Sequence, residues 1–236
     1  MNMSMNPASF ISNLKLHLRN QIGRNSVWAT KRKELAIKKD MDLCVEGYPR
    51  SANTYSVLLI EKYAHKPLGI AHHLHMPSQI KLASSWGIPS VLLIRKPMQA
   101  IPSLILREDG VSHWNAINWY NLFHEELVDQ KDKLIIWDFE DLINNPLKCL
   151  QELDRRTGLL KMDEDLGRIE NEDIFQEIDR LDKETKEGQD LSLVNSRPNK
   201  QKSMAKTAVR TELLENPRYQ KMIKKSEDLY EFFTAK

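Results

Sequence analysis

Short apolar runs alternate along the chain with polar, turn-rich stretches, and their spacing predicts strands followed by helices. Leu43, Cys44 and Val45 form a run that closes at Gly47. A polar loop and then the apolar-periodic stretch Tyr55 to Tyr63 follow, so this region reads as strand, loop, helix. A second unit repeats the rhythm, with Ser90 to Ile94 as a buried strand, Arg95 to Pro97 as a turn and Met98 to Arg107 as a helix. A helical segment at about His113 to Gln130 leads to a strand at Lys133 to Trp137, and Pro146 to Thr157 reads as a helix ended by Gly158. This βαβ rhythm predicts a three-layer α/β/α class, a central parallel sheet with helices on both faces.

The flanking regions differ in character. Residues 1–40 are polar and basic, with a charged cluster at Lys31 to Lys39, and read as a helical extension preceding an α/β domain over 41–236. Within the extension, Phe10 to Trp28 alternates apolar residues with Lys15, Arg19 and Arg24, an amphipathic pattern that suits packing on the domain or on a membrane surface. Beyond Met162 the chain is strongly charged, with helical periodicity at Leu166 to Leu181 and Tyr219 to Phe233. Gly188 to Lys206 is rich in Ser, Asn and Lys with little periodicity, which predicts a loop or lid.

Composition narrows the class without choosing a partner. Of 236 residues, 41% are hydrophobic and 29% charged, as in folded, water-soluble proteins. Lys and Arg number 35 against 33 acids, and a net charge of +2 is too small to mark a nucleic-acid binder. Two cysteines, Cys44 and Cys149, exclude a disulfide framework and a Cys-rich zinc module. No run approaches the roughly 18 apolar residues of a membrane span, and the N-terminus lacks the apolar core of a signal peptide, so the expectation is a cytoplasmic protein with no transmembrane segment.

The loop Gly47-Tyr48-Pro49-Arg50-Ser51-Ala52-Asn53-Thr54 lies between a strand and a helix, where backbone N–H groups and the helix N-terminus favour an anion. Against the Walker pattern GxxxxGK[ST], Gly47 and Thr54 fit, but Ala52 replaces the second glycine and Asn53 the lysine. Arg50 supplies the positive charge instead, with a planar fork suited to phosphate or sulfate oxygens. Taken alone, the segment reads equally as a strand-to-helix turn with a solvent-facing arginine.

Pro49-Arg50-Ser51-Ala52-Asn53-Thr54 resembles the PRSGTT or PKSGTT loop that binds the 5′-phosphosulfate in PAPS-dependent sulfotransferases of P-loop-like fold. Ala52 and Asn53 depart from that pattern; alanine suits it if its φ is negative, whereas a positive φ costs about 1 kcal/mol or more. Tyr55 falls where the family often places a tryptophan on the adenine, which implies stacking, with a core aromatic as the alternative. Arg95-Lys96-Pro97 with Ser103 eight residues after Arg95 resembles the family's second motif, and implies that Arg95 and Ser103 hold the donor's 3′-phosphate. Trp119, Tyr120, Phe123, the run Ile135 to Leu142, Asn145-Pro146 and Leu150 resemble a further family block and read as scaffold. Within it, Glu140 and Asp141 could be a carboxylate pair, although adjacent residues diverge and a helix-starting role fits better. The resemblance covers about residues 42–158. It implies transfer of a sulfonate group from PAPS, with no metal, to a hydroxyl or amine of a small-molecule or glycan acceptor.

Between the two motifs lies His72-His73-Leu74-His75-Met76-Pro77. In the cytosolic sulfotransferases a KTHLP-like segment falls here, which implies His75 as the base, with a Glu or Asp, the base in other members of the family, as the alternative, and puts His73 in the place of the lysine, beside Arg50 in carrying charge. Histidine titrates near neutrality and suits deprotonation of an alcohol. The same histidines could suggest a metal, but no third ligand with recognised spacing accompanies them. Arg197, in the Ser196 to Lys202 segment, corresponds to a family loop that covers the 3′-phosphate, with a solvated basic loop as the alternative. Rival functions are a P-loop kinase-like phosphotransferase, which the Asn53 position opposes, and a nucleotide-binding protein without catalysis.

Overall fold

The computed structural model describes residues 33–108, 110–162, 169, 171–185 and 200–235. Four parallel strands form one sheet in the order β2-β1-β3-β4: β1 (Leu43–Gly47), β2 (Ile70–His72), β3 (Ser90–Ile94) and β4 (Ile135–Asp138). The register aligns Val45 with His72 on one side and with Val91 on the other, while Ile94 pairs with Asp138. Nine described helices connect and flank these strands: α1 (Asn53–Tyr63), α2 (Pro77–Ser85), α3 (Pro97–Ile105), α4 (His113–Glu125), α5 (Phe139–Asn144), α6 (Pro146–Thr157), α7 (Glu172–Thr185), α8 (Lys200–Glu215) and α9 (Pro217–Thr234).

The alternation of side chains along a strand divides the core into two layers. Leu43, Val45, Val91, Leu93, Ile135 and Trp137 face α1, α6 and α7, packing on Leu59, Leu150, Leu153, Ile174 and Ile178. Cys44, Leu92 and Ile94 face the other way, onto Ile80, Ile101, Ile117, Phe123, Ile223 and Phe233 of α2, α3, α4 and α9. Helices therefore cover both faces, and the three-layer α/β/α class with a parallel sheet is the observed one. Local chemistry fixes the helix ends. Ser112 caps α4 by accepting from the Asn115 N–H, Asp138 caps α5, and α6 runs from its Asn145 cap and Pro146 to Gly158 at φ 65°.

Three sequence expectations shift. The α4 helix stops at Glu125, and Val128–Lys133 forms a 3₁₀ turn pinned by buried Leu127 and Leu134, because the six residues between them offer no continuous apolar face. The strand accordingly starts at Ile135 rather than Lys133. The segment expected as a loop to Lys206 is helical from Lys200, and the rest of that stretch, 188–199, lies outside the described residues. Its helical pattern is faint because Met204 and Leu214 are exposed and Leu213 is the buried anchor. Ile37 is fully buried in the main core and donates its N–H to Gln79 Oε1 at 2.6 Å. The described end of the basic extension thus packs into the domain, while residues 1–32 and the amphipathic stretch within them lie outside the described residues.

Candidate active site

The loop from β1 to α1 starts at a point of close backbone approach. A Cβ on Gly47 would stand 2.4 Å from the Leu93 carbonyl oxygen, so only glycine lets β1 run this near β3. After it, Arg50 and Ala52 both take the left-handed conformation, at φ 73° and 72°. The positive φ at Ala52 is the strained alternative, costing about 1 kcal/mol or more relative to glycine. Ala52 occupies the N-cap of α1 and offers no side-chain cap, so the first-turn N–H groups of Asn53, Thr54 and Tyr55 lack intrahelical acceptors and carry the positive end of the helix dipole. Ser51 Oγ and both polar atoms of the Asn53 amide are buried and have no hydrogen-bond partner among the described residues. Orphaned buried polar atoms of this kind cost about 1–3 kcal/mol each unless a ligand or water meets them.

The second motif comes into the same place. Arg50 Nε donates to Ser103 Oγ at 3.2 Å, and Arg95 Nη1 donates to the Arg50 carbonyl at 2.8 Å. Arg95 is held by its environment. Its Nε donates to Gln99 Oε1 at 3.2 Å, its guanidinium lies 3.7 Å from the Phe139 ring centroid, and its own carbonyl accepts from Tyr120 Oη at 2.8 Å. Burial lowers its pKa to about 10, with Glu140 and Asp138 acting in the opposite direction. Glu140 bonds Lys96 and Gln99, and both Glu140 and Asp141 stand in the first turn of α5, the helix-starting role.

A further cation at this site was not singled out by the sequence. Lys206, half-buried on α8, has its pKa lowered to about 8 by burial first and then by the nearby charges of Arg95, Arg50 and Arg210. One helical turn on, Arg210 Nε donates to the Met98 carbonyl of α3 at 3.1 Å, which ties α8 down beside the motif. Nothing in the faint periodicity of 200–215 marks Lys206; only its tertiary neighbours do.

The histidines gather at the C-terminal end of β2. Thr54 Oγ1 and His73 Nε2 are 3.0 Å apart, and the Nδ1 atoms of His72 and His73 are hydrogen-bonded to each other. His75 Nδ1 lies 2.8 Å from the Gly47 carbonyl oxygen. A carbonyl can only accept, so Nδ1 carries the proton and the neutral ring keeps its lone pair on Nε2. Tyr55 is buried, with its hydroxyl donating to Asn171 Oδ1 at 2.6 Å and its ring packed on Phe175, the core placement that stands beside the implied stacking role. Arg197 lies outside the described residues. No group of three or more His, Cys, Asp or Glu side chains positioned to hold a metal occurs among the described residues.

The chain is thus a three-layer α/β protein in which the loop after β1 and the arginine after β3 meet at the C-terminal edge of a parallel sheet. No family model matches the chain, and no curated protein matches it. Among solved structures it is similar to mouse sulfotransferase SULT7A1 complexed with PAP, at 12% identity over 91% of this chain and 94% of that one, with a TM-score of 0.44. No helix among the described residues is long and apolar enough to cross a membrane.

Proposed function

We propose that the protein is a PAPS-dependent sulfotransferase that moves a sulfonate group to a hydroxyl or amine of a small-molecule or glycan acceptor. The observation that carries this reading is the junction of two motifs 53 residues apart, with Arg50 bonded to Ser103 and Arg95 to the Arg50 backbone. One loop with one arginine suits any anion; two arginines from adjacent strands suit a nucleotide phosphorylated at two positions. The unpartnered Ser51 Oγ and Asn53 amide fit such a ligand, since each needs a polar partner that the fold does not provide among the described residues.

In this reading, Arg50, Ser51, Ala52, Asn53 and Thr54 receive the 5′-phosphosulfate, through side chains and the open N–H groups of α1. Arg95, Ser103 and Lys206 receive the 3′-phosphate. Bound PAPS supplies an activated sulfonate and a stable phosphate as its leaving group. The residues of the chain then do two things. Arg50 and the loop donors hold the negative charge on the phosphate, and His73 braces Thr54 from the other side. His75, with Nδ1 fixed on Gly47, takes the acceptor proton at Nε2. A kinase-like phosphotransferase would need a lysine where buried Asn53 stands.

Calorimetric titration with PAP, ADP and ATP tests the reading. PAP should bind at least about tenfold more tightly than either, a difference of about 1.4 kcal/mol. Equal affinities, or a preference for ATP, would remove the assignment.

A further inference from the structure

The chain contains a carboxylate that the proposed chemistry leaves without a task. Glu46, at the end of β1, is fully buried. Its Oε1 accepts from the Leu74 N–H at 2.9 Å and its Oε2 from the His75 N–H at 2.8 Å, so one carboxylate spans two consecutive peptide units of the turn after β2. That turn is strained, with His73 at φ 59° and His75 at φ 53°, a conformation that costs a non-glycine residue about 1–2 kcal/mol. Leu74 between them is buried against Ala36 and Met76. Charge-assisted bonds to an ionised carboxylate are about twice as strong as neutral ones, which is enough to hold such a turn. The next residue of β1, Gly47, gives its carbonyl to His75 Nδ1.

From these contacts we infer that Glu46 is the positioning residue for His75. Its two oxygens fix the backbone of the turn, the fixed backbone sets the imidazole against the Gly47 carbonyl, and that contact selects the Nδ1–H tautomer. Glu46 and Gly47 are adjacent in β1, so the end of one strand controls both the main chain and the ring of His75. The inference rests on the proposed role of His75 for its catalytic meaning, but the clamp itself is a property of the ligand-free protein.

Nitrogen-15 NMR of the imidazoles tests it, with His75 assigned by loss of its signals in His75→Ala. The wild-type protein should show His75 predominantly as the Nδ1–H tautomer at high pH, with the Leu74 and His75 amides protected from hydrogen exchange at least about a hundredfold. In Glu46→Gln, one amide N–H loses its acceptor, and the nitrogen shifts of His75 should move toward those of an averaging tautomer mixture. Glu46→Asp keeps the charge on a shorter arm and should restore part of the wild-type pattern. An Nε2–H tautomer or unprotected amides in the wild-type protein would overturn the clamp even if neither variant folds. Folded Glu46→Gln with unchanged His75 shifts would overturn it as well. PAP titration separates the two claims: a protein that shows the clamp yet does not bind PAP loses the sulfotransferase reading and keeps the role of Glu46.

Discussion

At the scale of single residues, the loop shows where the sequence speaks clearly and where it does not. Arg50, Arg95 and Ser103 stand out because they match motifs of the family that the sequence resembles, and they lie together in the structure. Tyr55 and Asn53 were equally visible, but burial decides what each can do, and at Tyr55 it involves Asn171 and Phe175, far along the chain. Ala52 carries the conformational question that the sequence poses and the backbone answers, with φ 72°. Replacing it by glycine relieves about 1–2 kcal/mol of left-handed strain, against about 0.5–1 kcal/mol of extra unfolded-state entropy. Ala52→Gly should therefore be neutral to stabilising by up to about 1.5 kcal/mol, a rise of up to about 6 °C in Tm for a chain of this size by calorimetry. A lower Tm would mean that Ala52 is not strained.

At the scale of elements, the strands and helices with strong periodicity or clear caps were legible. Strand Ser90–Ile94 and helix Pro146–Thr157 coincide with the expected spans, the latter because Asn145, Pro146 and Gly158 mark both ends. The short β2 and the polar α2 were not legible, since three strand residues and a helix of sequence PSQIKLASS carry little period. The α8 helix was hidden for the same reason, and Lys206 with it. Its depressed pKa has a measurable consequence. Lys206 is protonated below about pH 8 and neutral above it in the ligand-free protein, whereas a bound phosphate favours the charged form. PAP affinity should be nearly constant from pH 6.5 to 7.5, as order-of-magnitude bounds from this value, and fall up to about tenfold per unit above pH 8. In Lys206→Met the affinity at pH 7 should drop and that pH dependence should flatten. Titration calorimetry across this range checks both, and an unaltered slope in the variant would place Lys206 outside the site.

At the scale of the whole molecule, the repeated succession of strand and helix made the layered architecture predictable, and the continuous burial of β1 and β3 is that of a parallel sheet with helices on both faces. The edge of the domain was less so. A basic, charged stretch gives no sign that Ile37 within it is a core residue, yet its side chain is fully buried and its N–H is bonded to Gln79. Ile37→Ala should cost about 2–4 kcal/mol, as cavity-forming changes in cores do, read as a lower midpoint in urea denaturation. A midpoint unchanged from wild type would set the domain boundary after this residue.

The central claim is that two phosphate subsites on adjacent strands form one nucleotide site. Calorimetric comparison of PAP with adenosine 5′-monophosphate, in the wild-type protein and in Arg95→Met, tests it most directly. The wild-type protein should favour PAP by at least about tenfold, and Arg95→Met should lose most of that preference while still binding the monophosphate. A wild-type protein that binds the two nucleotides equally, or an Arg95→Met variant that keeps the full preference, would contradict it.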